Sequence, residues 1–233
     1  MKFSEMPYER PDLEALKSQQ AEFTARLKAA KSYEEARAVF LEQEEASRHL
    51  NTLTNLAMIR NSIDTRDEFY DGEVKFWNAA SPELEEYYHA WNIAMLESPF
   101  RPDFEAEYGG LMFLNTEIQL KTFSPEIVPQ LQRENDLTQE YDKLIASAKI
   151  PFEGGTYTLA QMGPFQSDAD DARRLAAWKA VGQWYKEHQP DLDRIYDELT
   201  RLRDEMGRKL GYEGYTTLGY NRMGRNCYSH EDV

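Results

Sequence analysis

The sequence predicts a mainly α protein, a multi-helix array with one short β-hairpin near 150–159. Three observations predict it. Apolar residues return at intervals of three and four through most of the chain, the spacing that lines one face of a helix. The pairs Ser81-Pro82 and Ser124-Pro125 each supply a helix cap followed by a residue suited to the first helical position. Only one stretch carries β-type patterning: Ile150, Phe152, Tyr157 and Leu159 surround Gly154-Gly155, which suits a two-residue hairpin turn.

The elements follow in order. Residues 1–10 read as an extended lead-in. A first helix spans Asp12 to Ala30, with Leu13, Leu16, Phe23 and Leu27 as its apolar set. Ser32 caps a second helix of about thirty residues, long for a globular protein. Its apolar positions are Tyr33, Ala36, Phe40, Leu50, Leu53, Ala57 and Ile63. Arg66 to Ala79 is helical, with Phe69, Tyr70, Val74 and Trp77 inward, and Ser81-Pro82 restarts the helix. Leu84, Tyr87, Tyr88, Trp91 and Met95 then share a face.

Pro99 and Pro102 bracket a turn, and Gly109-Gly110 interrupts the chain. Leu111 to Phe123 is apolar on more than one side, which predicts deep burial. After Ser124-Pro125 a helix runs to about Ala148, with Ile127, Leu131, Tyr141, Leu144 and Ile145 inward. Beyond the hairpin, Gly163-Pro164 breaks the chain, and Asp168 or Asp170 caps a helix carrying Leu175, Trp178, Val181 and Tyr185. Pro190 opens the last long helix, where Ile195, Leu199, Leu202, Met206 and Leu210 form one stripe that Gly211 stops. Ser229, with Asp232 three residues on, reads as the start of a helix that leads onward.

At 233 residues the chain can bury a real core. Its mean hydropathy is low, −0.75, and 30% of its residues are charged, as long helices with one wet face require. The net charge is −15. All of it lies in residues 1–170, because 171–233 carry 11 basic and 11 acidic residues. An acidic front disfavours nucleic acid and anionic membrane surfaces. No run reaches the roughly 20 apolar residues of a membrane span, and no signal peptide opens the chain. One cysteine, Cys227, forms no internal disulfide, so the expected setting is cytoplasmic.

Four histidines allow an exhaustive metal search. Glu86 and His89 have the Glu-x-x-His spacing of di-iron bundles, but no second such motif exists. Glu45 and His49 could share a helix face. Cys227 and His230 are half of a zinc site with nothing to complete it. No His-Glu-x-x-His, no nucleophile elbow and no phosphate-binding loop is present. The expectation is that no metal ligand and no catalytic residue lies within these residues. Tyr212, Tyr215, Tyr220, Arg222 and Arg225 form an aromatic and basic cluster. Such residues can hold a peptide carbonyl or carboxylate, and they can equally pack a helix junction.

Three passages carry a family resemblance. Ile195 to Arg203 together with Lys209 to Tyr212 and Leu218 to Arg225, the passage Phe152 to Met162, and Asn61 to Asp71 resemble, in order, parts of the oligoendopeptidase F group of thimet-oligopeptidase-like zinc metallopeptidases. The resemblance implies a longer, mostly helical enzyme with a deep peptide channel and a zinc held by His-Glu-x-x-His and a later glutamate. It implies that residues 1–233 are one N-terminal helical part, channel wall and lid, with zinc and short peptides engaged by a catalytic half outside them. Tyr215, Tyr220, Arg222 and Arg225 would then meet peptide or the junction with that half. A rival expectation is a stand-alone acidic helical module that binds peptides.

Overall fold

The computed structural model describes residues 2–233, apart from the side chain of Ser4. Among the described residues it has ten α-helices and one two-stranded antiparallel hairpin. The chain divides into two compact units, residues 1–132 with 203–233, and residues 133–202.

The first unit begins with a lead-in and helices α1 (Leu13–Ala29), α2 (Tyr33–Ile63) and α3 (Glu68–Leu96). Each start is explained by its cap. The side chains of Asp12, Ser32 and Asp67 accept from backbone N–H groups of the first turn that no helical carbonyl can reach. The three helices pack on one another. Phe23, Leu27, Ala36, Val39, Phe40, Trp91 and Met95 form one core cluster, joined by Phe104 and Phe113. Leu53, Ala57, Trp77, Ala80 and Leu84 form a second. Trp77 is almost wholly buried. Its ring alone removes enough apolar surface from water to stabilise the unit by about 3 kcal/mol.

Helix α3 corrects the expected restart. It runs unbroken from Glu68 to Leu96 with Pro82 inside it. Pro82 cannot donate to the turn before it, yet it is buried in a helix that packs on α1 and α2. Tertiary packing outweighs the lost hydrogen bond. The helix also begins at Glu68, capped by Asp67, rather than at Arg66, and Phe69 in its first turn is exposed, its ring edge-on to Tyr8 and Tyr70. Ile63, in the final turn of α2, is 72% exposed.

Two short helices follow, α4 (Arg101–Tyr108) and α5 (Gly110–Gln119). Pro102 lies in the first turn of α4 rather than beyond a turn. Gly109 separates the two at φ +87°, a conformation open to glycine. The deep burial expected for Leu111 to Phe123 is only half right. Phe113, Ile118 and Phe123 are buried, but Leu111 is 60% exposed and Leu114 faces water with it. Ser124 caps a 3₁₀ turn at Pro125, which leads into α6 (Val128–Ala146). In this helix Leu137 is buried, whereas Tyr141 is exposed.

The second unit holds the hairpin, β1 (Ile150–Phe152) and β2 (Gly155–Tyr157), then α7 (Gly163–Gln166) and α8 (Asp171–Glu187). Phe152 pairs with Gly155, so the turn residues are Glu153 and Gly154, not Gly154 and Gly155. Both have positive φ, 47° and 80°, which matches the twist of a tight hairpin. Gly163-Pro164 opens the single turn α7 rather than breaking the chain. Asp170 caps α8. The buried face of α8 is Ala177, Val181 and Trp184, packed with Ile150 and Met162. Leu175, Trp178 and Tyr185 of the same helix are exposed. Helix α8 is apolar on two faces, and the hairpin covers the one where Ala177 permits close approach.

Helix α9 (Gln189–Lys209) carries the stripe from Ile195 to Met206, both buried. The last helix, α10 (Tyr215–Arg222), returns to α5.

Candidate functional site

The C-terminal segment is built on two glycines. Gly211, at φ +86°, ends α9 in a Schellman turn: Tyr212 N donates to Gly207 O at 2.9 Å. Gly207 then touches the returning chain, for a Cβ there would lie 2.3 Å from Gly214 O. This close approach turns the backbone into α10, which seats Leu218 against Ile127 and Met206.

Tyr212 bridges the turn to the end of α5. Its hydroxyl donates to Lys121 O at 2.8 Å and accepts from Asn221 Nδ2 at 3.0 Å. The four residues expected to act together divide into two pairs. Tyr215 packs with the Ile127–Met206–Leu218 cluster, its hydroxyl accepts from Arg222 Nη1 at 3.2 Å, and Arg203 lies 5.6 Å over its ring. Tyr220 meets the rings of Tyr228 and His230 edge-on, and Arg225 lies 5.3 Å over Tyr228. A backbone bond, Arg225 N to Tyr220 O at 3.1 Å, ties that second group together. Arg222 and Arg225 are exposed, while Tyr215 and Tyr220 are half-buried.

Farther on, Asn226 Nδ2 donates to Asn115 Oδ1 of α5 at 2.8 Å, and Cys227 Sγ donates to Asn226 Oδ1. Ser229 and Asp232 form a reciprocal capping box around a 3₁₀ turn, His230–Asp232. The Ser229 backbone N–H holds the Asp232 carboxyl below its ordinary range, and the Ser229 hydroxyl adds to it.

The histidines do not converge. Glu86 is exposed. His89 lies against the Phe123 ring, and burial pushes its pKa down, which disfavours the charged form. His188 stacks on Trp184. Among the described residues no three of His, Cys, Asp and Glu gather as a metal ion requires. The described side chains therefore do not fit a zinc centre of three protein ligands.

The sequence patterns missed a cavity of about 290 Å³ between α2, α3 and α5. Phe40, Trp91, Met95 and Met112 supply apolar walls, and Glu44, Asn92 and Gln119 supply polar ones. The available signal was polar residues set beside core positions: Glu44 one turn after Phe40, and Asn92 next to Trp91.

Comparison with known proteins places this architecture. The family profile described as the peptidase M3 N-terminal domain matches residues 3–123. The chain belongs to the M3 peptidase family. Solved structures extend the likeness to the whole chain. PZ peptidase A with an inhibitor aligns at a TM-score of 0.95 and 40% identity over 99% of this chain. Two structures that carry the name oligoendopeptidase F align at 0.96 with 41% identity and, from Bacillus anthracis strain Ames, at 0.95 with 39% identity. No curated protein matches. The chain spans 41 to 42% of the length of these solved chains, and it corresponds to the N-terminal portion of an oligoendopeptidase F-like peptidase. The motif His-Glu-x-x-His does not occur in its 233 residues. Among the described residues no helix is long and apolar enough to cross a membrane.

Proposed function

We propose that this chain forms the helical wall and lid of a zinc metallopeptidase of the M3 family that hydrolyses short peptides. Chemistry belongs to a catalytic portion outside these residues. The chain shapes the channel and limits which peptides enter. The observation that carries this reading is the likeness itself, about 40% identity over 99% of the chain against structures more than twice as long. Exposed apolar side chains on well-packed helices, Leu111 and Leu114 on α5 and Leu175 and Trp178 on α8, support it, since apolar faces of this kind mark contact surfaces.

Within this reading Tyr215 and Arg222 brace the junction with the catalytic portion. Tyr220, half-buried, and Arg225, exposed, contact peptide or that portion directly. The proposed setting is cytoplasmic. The test is direct: the purified 233-residue protein is incubated with zinc and an internally quenched fluorescent peptide. No turnover and no stoichiometric zinc are expected. Turnover with one zinc per chain would overturn the assignment of chemistry to residues outside this chain.

A further inference from the structure

We propose that the cavity between α2, α3 and α5 binds a primary ammonium group carried on a small apolar body, the chemistry presented by the free amino end of a peptide that begins with an apolar residue. The walls divide by chemistry. Phe40, Trp91, Met95 and Met112 offer aromatic and thioether surface, and Trp91 is buried to its last few per cent. Glu44 is the sole ionisable residue lining the cavity. Glu44 is half-buried, and its side chain is outside the ion pairs and side-chain hydrogen bonds of the described residues. Asn92 is half-buried and Gln119 exposed, and neither side-chain amide is in the hydrogen bonds of the described residues.

Nearby cations are otherwise engaged. Arg101 lies over the Phe113 ring but is bonded to Glu105 and Glu117. Arg48 donates to the backbone carbonyl of Glu44 and pairs with Glu45. An unpaired carboxylate beside aromatic faces is complementary to a cation and opposed to an anion. The amides add acceptors for the remaining N–H bonds of an ammonium. A cavity near 290 Å³ holds an occupant of about ten heavy atoms. One end of the site is tied to the C-terminal segment, because Asn115, which also lines it, accepts from Asn226.

Binding here does not depend on hydrolysis, so it is read on the 233-residue chain independently of any turnover assay. The chain is labelled with ¹³C-methyl methionine and titrated with phenethylammonium, with Phe-Gly amide, and with the N-acetylated form of each. Saturable shifts are expected at Met95 and Met112 but not at the remaining methionines, with a Kd on the order of 1 mM or tighter. Acetylation is expected to abolish them, and Glu44→Gln to weaken binding roughly tenfold through loss of a charge-assisted bond. Shifts with both free amines support the peptide-end source. Shifts with phenethylammonium alone support an ammonium site for free amines. Equal binding of the acetylated forms, unchanged affinity in E44Q with a wild-type melt, or no saturable shift up to about 10 mM would each overturn the proposal. The acetylation arm uses the unaltered protein, so the test does not rest on the variant folding.

Discussion

Glu73 shows how single residues hold the lead-in of this chain in place. Its side chain is buried, its carboxylate accepts from Arg10 Nε and Nη2 and from the Tyr8 hydroxyl, and that hydroxyl also accepts from Trp77 Nε1. The Arg10 bonds hold the Glu73 pKa below its ordinary 4.5 against the opposing effect of burial. A depressed carboxyl stabilises the fold above its unfolded pKa, and that stability is lost as pH falls through the lower folded value. Because Arg10 is half in water, the loss on removing the carboxylate is below that of a fully buried pair. Glu73→Ala is expected to lower stability by roughly 2 kcal/mol in urea melts at neutral pH, with the difference from wild type shrinking in acid. Glu107 is an exposed counterpart. Arg37 first, and then Tyr33, hold its pKa to about 2. A carboxyl-detected NMR titration is expected to find that midpoint well below 4.5 in the native chain, and Arg37→Ala is expected to return it toward the ordinary value.

At the scale of elements, the faces of α8 and the turn after α9 carry the clearest tests. Trp184 is buried against the hairpin unit's core while Trp178 is 57% exposed, its Nε1 bonded only to Gln166 O. Trp184→Ala is expected to cost roughly 3–5 kcal/mol and Trp178→Ala under about 1 kcal/mol, as measured by chemical denaturation. Equal costs would mean that the burial phase of α8 is wrong. The C-terminal bend makes a similar contrast. Gly211→Ala strains a positive-φ cap and is expected to cost about 1 kcal/mol. Gly207→Ala also pushes a methyl into the Gly214 carbonyl, which cannot rotate away. Its cost is expected to be larger, roughly 2–3 kcal/mol, with α10 displaced.

For the molecule as a whole, the exposed apolar residues have one consequence. Leu111 and Leu114 on α5, and Leu175, Trp178 and Tyr185 on α8, leave hydrocarbon and ring surface in water although the cores behind them are packed. The isolated chain is expected to bind an apolar fluorescent dye and to self-associate as concentration rises, despite a net charge of −15. Leu111→Lys with Leu114→Glu is expected to reduce association in sedimentation experiments while leaving the thermal midpoint nearly unchanged. A monodisperse chain that excludes the dye would argue that these faces need no partner.

What the sequence determined by itself was local. Ser32 and Ser124 accept from backbone N–H groups within a few residues of themselves, so those starts were legible, whereas the structure made Asp12 a cap rather than a helical residue and chose Asp170 over Asp168. Gly211 and the Ser229–Asp232 box were legible for the same reason. The family was legible because motifs from three parts of the chain kept their order. Only the tertiary structure decided which of two apolar faces of α5 and α8 was covered, since periodicity states that a face is apolar but not what stands opposite it. It decided that Pro82 lies within one continuous helix, because packing against α1 and α2 exceeds the loss of one backbone bond. It moved the hairpin turn to Glu153-Gly154, where pairing of Phe152 with Gly155 sets the register. It divided Tyr215, Tyr220, Arg222 and Arg225 into two groups. And it brought Glu44, Asn92 and Gln119, far apart in the chain, around one cavity. Such a site arises from helices crossing in space, and no spacing within a single helix encodes that crossing.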